Sequence, residues 1–167
     1  MAKPNVDLNL NREQLAAIGL LSARWSFFET EMDFTISALG SLMENDQRLP
    51  QRLNERIKRW RSLAKRLYTD TKVYEHIDDL ITRAKNLHDS RCIVLHGRCY
   101  GDPTGQREEI SVETHRHLAT WDVHKISVTA KQILGAASKF EATAIELIKF
   151  NEKHLPVLPK SFPRKYP

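Results

Sequence analysis

The stretch Asn11–Met43, NREQLAAIGLLSARWSFFETEMDFTISALGSLM, decides the fold. Its apolar residues recur at Ile18, Leu21, Trp25, Phe28, Met32, Ile36, Leu39 and Met43. Steps of three and four keep them on one side of a helix, so the segment reads as one long amphipathic helix. Asn11, with Gln14 three residues on, has the form of a capping box that would start it. A second row, Leu20, Phe27 and Phe34, falls seven apart on a different side. A single buried stripe has no use for that row, which reads as a partner surface in a dimer. A wider intramolecular core is the alternative.

Asn45-Asp46 and Pro50 break the chain, and Pro50 suits the first turn of a second helix reaching Tyr68. Leu53, Ile57, Trp60, Ala64 and Leu67 form its stripe. A third helix, about 72–96, carries Val73, Ile77, Leu80, Ala84 and Leu87 in step, and Gly97 reads as a left-handed stop. The character then changes from Arg98 to Trp121. Asp102-Pro103-Thr104-Gly105 is a turn signal, and Ile110, Val112 and Thr114 alternate with Ser111, Glu113 and His115. This predicts a hairpin or three-stranded insert, with strands near 98–101, 108–115 and 117–121. A last helix over about 122–154 would turn Ile126, Ala130, Ile133, Ala137, Phe140, Ala144 and Leu147 inward. The expected architecture is therefore all-α: a four-helix bundle with a small β insert, about 98–121, between helices three and four. It has an N-terminal arm (1–10), a helical domain (11–154) and a Pro-rich basic tail (155–167).

At 167 residues, 41% hydrophobic and 28% charged, the chain can bury a core without disulfides or metal. A disulfide scaffold, a collagenous fibre and a wholly disordered protein are excluded. With six glycines and no GxGxxG or GxxxxGK[ST] loop, nothing suggests a P-loop ATPase or a Rossmann dehydrogenase. The first seven residues lack the apolar core of a signal peptide, and no run of 18 apolar residues occurs. The expectation is a cytoplasmic protein, not associated with a membrane, with Cys92 and Cys99 as free thiols.

Charge is uneven. Arg48–Lys72 holds nine Lys and Arg against Glu55 and Asp70, a net +7 that leaves −2 for the rest of a chain whose total is +5. A concentrated basic face favours a polyanion, nucleic acid first. Arg52, Arg56, Lys58 and Arg59 are the candidate phosphate contacts, with Arg98 beside them in kind and Tyr100 as a platform on which a base could stack. The alternative is an ordinary solvated helix face. Membrane-surface binding would need the apolar stripe that the core already uses.

The densest chemistry lies in His88–Gly97, HDSRCIVLHG. Arg91 continues the apolar stripe of the third helix. A guanidinium is costly to bury unpaired, so Arg91 should face an acid or a cleft that takes an anion. Arg91 and His96 are five steps apart, about 140° around a regular helix, and would diverge unless the last turn loosens at Gly97. Together they suffice for RNA cleavage by internal attack of the 2′-hydroxyl. The imidazole, with an ordinary pKa of about 6.5, moves a proton at neutral pH. The guanidinium holds the phosphate and the charge building on it. In the plainer alternative, His96 caps carbonyls at the helix end and Arg91 sits in a buried ion pair.

The run Arg91 to His96, late in a long helix of an all-α domain and ending Leu95-His96-Gly97, resembles the R-x4–6-H motif of the HEPN superfamily. Members are four-helix domains, often metal-independent endoribonucleases of toxin–antitoxin and phage-defence systems. They dimerise so that two such motifs line one cleft. The resemblance implies that Arg91 positions the scissile phosphate and that His96 is the catalytic acid or base. It implies a homodimer, with RNA and an antitoxin or another protein as partners. Cys92 stands where the family usually carries Asn or Asp after the Arg. The alternative function is a non-catalytic helical dimer that binds a nucleotide, a nucleic acid or a protein partner. A third is a ligand-free interaction protein whose basic helix meets an acidic partner.

His88, Cys92 and His96 fall at i, i+4 and i+8, but the outer two are about 12 Å apart along the axis and cannot share one ion unaided. His115 and His117 share one face of a strand and could contribute, but spacing of this kind is weak compared with paired CxxC motifs. No metal and no cofactor is expected. The adjacent acids Asp78-Asp79 and Glu108-Glu109 point apart and read as solvated charges. Trp25, Trp60 and Trp121 read as core or hairpin anchors.

Overall fold

The computed structural model of the chain describes residues 9–44, 48–102, 104, 108–115 and 123–155. Helix α1 spans Arg12–Glu44, α2 Leu53–Leu67, α3 Thr71–His96 and α4 Ala130–His154, and strands β1 (Arg98–Tyr100), β2 (Glu109–His115) and β3 (Val123–Thr129) lie between α3 and α4. The protein is thus mainly helical, with a small three-stranded insert where the turn signals and alternation predict one. The sheet is antiparallel in the order β1-β2-β3. Cys99 lies opposite Val112 and Val112 opposite Ile126, so these residues share one face. Arg98, Glu113 and Lys125 share the other.

Each helix start has a local cause. At α1 the backbone N–H of Gln14 donates to Asn11 Oδ1 (2.9 Å) and the N–H of Asn11 donates to Gln14 Oε1 (3.0 Å), the reciprocal box expected from the sequence. Asp70 caps α3 by accepting from the N–H of Lys72 at 2.8 Å. Helix α2 begins three residues later than Pro50 suggests: Arg52 is its N-cap, and Pro50 lies outside the first turn. A larger correction concerns α4. Residues 123–129 form a strand instead of its first two turns, and Ile126 sits on a sheet face. The helix starts where Thr129 and Gln132 make a second capping box, Thr129 N–H to Gln132 Oε1 at 2.8 Å and Gln132 N–H to Thr129 Oγ1 at 3.2 Å. The insert therefore reaches Thr129 and not residue 121. The third strand expected at 117–121, Trp121, His117 and the 156–167 part of the tail lie outside the described residues.

The chain divides into two compact units. In the first, drawn from 1–26 and 86–141, the core holds Leu21, Trp25, Val94, Ile110, Val112, Ile133, Ala137 and Phe140. Gln14, itself buried, also donates to the carbonyl of Glu108 at 3.4 Å, tying the start of α1 to the start of β2. In the second, drawn from 27–85 and 142–167, the core holds Phe28, Met32, Ile36, Ile57, Trp60, Leu80, Ile81 and Leu147. A buried polar link there joins α4 to α1: Asn151 Nδ2 donates to Thr35 Oγ1 at 2.8 Å, and Thr35 Oγ1 donates to the carbonyl of Glu31 at 2.7 Å.

The predicted stripes are buried along their middle, with Phe28, Met32, Ile36, Trp60, Ile77, Leu80, Phe140 and Leu147 all fully enclosed, while Ile18, Met43, Leu53, Leu67, Val73 and Leu87 are half-buried. Of the second row on α1, Leu20 is exposed and Phe27 and Phe34 are half-buried.

Candidate functional site

Helix α3 stays regular to its end, and the N–H of Gly97 still donates to the carbonyl of Ile93 at 3.1 Å. The loosened turn invoked to bring Arg91 and His96 together is absent. The length of the Arg side chain does the work instead. Arg91 Nη1 lies 3.1 Å from His96 Nε2. The guanidinium carbon of Arg91 stands 4.9 Å from the ring centroid of Trp25. Trp25 is 3% exposed and is held edge-on by Phe140 at 5.2 Å between centroids. A rigid indole under the guanidinium limits where Arg91 can swing.

Arg91 is half-buried and His96 is exposed. Among the described residues, no carboxylate pairs with Arg91, and its Nε is buried without a hydrogen-bond partner. The plainer alternative for Arg91, a buried ion pair, is not what the described residues show. A guanidinium in contact with His96 Nε2 can only donate, so that nitrogen must be the acceptor.

Two further groups complete the cluster. Cys92 Sγ is 3.1 Å from His88 Nε2 and 3.9 Å from Arg91 Nη1. His88 also lies against Trp25, at 5.3 Å between ring centroids, and its Nδ1 is 3.6 Å from a carboxylate oxygen of Asp89. Their i, i+4 spacing is visible in the sequence, where it reads as a weak metal site. Among the described residues, no group of three or more His, Cys, Asp or Glu could hold a metal ion.

Gly97 ends α3, but not through a left-handed backbone, since the only described non-Gly residue with positive φ is Asn9 and Gly97 shows no such angle. It is glycine because β2 passes close by: a Cβ there would run into Val112 Cγ1 and come within 2.5 Å of the Ile93 carbonyl oxygen. β1 follows immediately, so Arg98 and Tyr100 lie two and four residues beyond His96. Arg98 is exposed, and Tyr100 is half-buried. Arg98 stands opposite Glu113, which is bridged to Lys125 at 3.0 Å.

The basic helix α2 divides into paired and open charges. Arg56 is held through its two Nη atoms by Asp33 (2.8 Å) and Glu29 (2.8 Å) on α1. Burial raises the Asp33 carboxyl even so, against the opposing pull of Arg56. Arg56 is therefore a brace between helices, its charge already met by two carboxylates. Arg61 likewise pairs with Asp78. Arg52 and Lys58 are exposed, and Arg59 is half-buried. Asp79 and Glu146 hold Arg83 at 2.9 and 2.8 Å, so Asp79 serves a surface ion-pair network.

A cleft of about 580 Å³, unforeseen in the sequence, is lined by Leu21, Leu87, Ile93, Ile126, Val128 and Ile133, with others. Arg91, Cys92 and His96 are not among its lining residues. Among the described residues, no helix is long and apolar enough to cross a membrane. No family model matches the chain, and neither a curated protein nor a solved structure was found to match it.

Proposed function

We propose that the protein is a cytoplasmic, HEPN-like, metal-independent endoribonuclease that acts as a homodimer at the Arg91/His96 site, in a toxin or defence setting. The observation that carries the reading is the 3.1 Å approach of Arg91 Nη1 to an exposed His96 Nε2, with no carboxylate to neutralise the guanidinium among the described residues. An unneutralised guanidinium on a rigid indole is a phosphate holder. When a phosphodiester draws Arg91 onto its oxygens, His96 Nε2 is released. It then takes the proton from the ribose 2′-hydroxyl as that oxygen attacks phosphorus. The P–O5′ bond breaks, the 5′-oxygen leaves with a proton from a second acid, and a 2′,3′-cyclic phosphate remains. A second copy of the motif across a dimer would supply that acid. Arg98, Tyr100 and the open charges Arg52 and Lys58 would hold the flanking RNA.

The test is RNA cleavage in EDTA by the wild-type chain. Cleavage leaving 2′,3′-cyclic phosphate ends, abolished by His96→Ala in a protein that keeps its helix content and oligomeric state, is the expected result. A second reading, phosphate binding without cleavage, is favoured by the Arg91 donor that occupies His96 Nε2 at rest. RNA binding by wild-type protein that never yields product would establish it.

A further inference from the structure

The RNA reading leaves the His88–Cys92 pair unused. Burial pushes the other thiol, Cys99, above its ordinary pKa. Cys99 Sγ also lies 3.4 Å from the carbonyl oxygen of Val94, an acceptor that can only keep a proton on sulfur. Cys92 has the opposite surroundings. Its sulfur has an imidazole nitrogen at 3.1 Å that can take the thiol proton and a guanidinium at 3.9 Å that stabilises negative charge. Residue Cys92 is half-buried on α3. The same chain thus carries one thiol facing a carbonyl oxygen and one facing an imidazole and a guanidinium.

We propose that Cys92 is a thiol modification site selective for hydroperoxides, with His88 as its proton acceptor and donor. His88 Nε2 takes the proton from Cys92 Sγ. The thiolate attacks one oxygen of the peroxide, a new S–O bond forms and the O–O bond breaks. Sulfur loses two electrons, and the departing oxygen gains them and leaves as hydroxide. The proton held on His88 converts that hydroxide to water; an organic peroxide releases an alkoxide in its place, which the same proton converts to an alcohol. The product is a Cys92 sulfenic acid, and the balance is thiol plus hydroperoxide to sulfenic acid plus water or alcohol. The added oxygen is an acceptor next to Arg91 Nη1 and competes with His96 for that donor. The modification needs no RNA and does not depend on the ribonuclease reading.

The experiment treats the full reduced chain with stoichiometric hydrogen peroxide, traps sulfenic acid with dimedone and locates the adduct by peptide mass spectrometry. Cys92 is expected to label at least ten times faster than Cys99 in the same molecule, a comparison that requires no variant. His88→Gln should slow Cys92 labelling about tenfold near neutral pH, with Cys99 unchanged. Equal labelling of the two thiols in wild-type protein overturns the proposal. So does His88→Gln protein that keeps its helix content and labels Cys92 as fast as wild type. Failure of RNA cleavage in the separate EDTA assay would remove the ribonuclease reading and leave this result untouched.

Discussion

The guanidinium of Arg91 rests 4.9 Å from the centre of the Trp25 indole while its Nη1 meets His96 at 3.1 Å. One side chain thus joins two helices of the first unit, with its Nε buried and without a hydrogen-bond partner. A Lys at position 91 would keep the charge. It would lose the planar fork that can stack on an indole and grip two phosphate oxygens together. Arg91→Lys is expected to leave the urea midpoint close to wild type and to reduce RNA cleavage by about two orders of magnitude. Cleavage assays in EDTA beside urea titrations check this. Full activity in the Lys variant would show that a point charge suffices.

Glu146 accepts from Arg83 (2.8 Å) and lies 2.9 Å from His76 Nε2. These partners, Arg83 foremost, hold its carboxyl down from an ordinary 4.5 to about 2. A depressed carboxylate contributes stability that is present above its unfolded pKa and is lost as pH falls through the folded one. The contribution should therefore fade between about pH 4.5 and about pH 2. The carboxylate is 38% exposed, so solvent screening keeps the contribution near that of a surface pair, about 0.5–1 kcal/mol. Glu146→Gln should lower the unfolding free energy by that amount at pH 7. The gap between variant and wild type should close by pH 2, as read from urea unfolding at a series of pH values.

Tyr68 follows α2 and packs edge-on against Phe150 at 5.6 Å between centroids. Its hydroxyl is buried with no hydrogen-bond partner among the described residues, and burial pushes its pKa up to about 12. Removing an unsatisfied buried hydroxyl while keeping the ring costs no contact and ends a desolvation penalty. Tyr68→Phe is expected to raise stability by about 1 kcal/mol, a rise in urea midpoint at unchanged slope. A fall would mean that the hydroxyl is satisfied by water.

How much of this could be read from residues alone follows from which signals were unambiguous. The stripes of α1, α2 and α3 were plain because one apolar period accounts for each. The β3–α4 junction was misread because Ile126 fits two periods. With Ala130 and Ile133 it continues a helical row, and with Val128 it alternates as in a strand. The deciding signal was present in Thr129-x-x-Gln132, the same reciprocal box recognised at Asn11-x-x-Gln14. At the site, Arg91 and His96 were identified, but the cause of their meeting was not. Angular arithmetic places Cβ atoms and ignores the reach of a guanidinium on three methylenes. Trp25 was read as core, which it is, and its second use as a seat for Arg91 depends on contacts that sequence spacing does not encode. The brace formed by Arg56 with Asp33 and Glu29 was hidden for the same reason, since its acids lie on another helix.

Gly97 is placed by proximity and not by its dihedral freedom, and that distinction has a measurable consequence. A left-handed position would tolerate Asn nearly as well as Gly, because Asn visits that region. A position closed by neighbouring atoms would tolerate neither Asn nor Ala. Here an added Cβ would meet Val112 Cγ1, the Ile93 carbonyl oxygen at 2.5 Å and the Glu113 carbonyl oxygen at 3.2 Å. Two of these three are backbone atoms, one on α3 and one on β2, which cannot rotate away, so relief requires the last turn of α3 to shift both within itself and against β2. Gly97→Ala should therefore destabilise the fold by about 1–3 kcal/mol, the range for overpacking a tight contact. Gly97→Asn should cost at least as much. Because Gly97 follows His96, the displaced helix end should also weaken the Arg91–His96 contact and lower RNA cleavage more than the loss of folded protein explains. Urea unfolding of both variants, with cleavage normalised to the folded fraction, separates the two effects. An Asn variant as stable as wild type would show that backbone conformation, and not the nearness of β2, keeps glycine at this position.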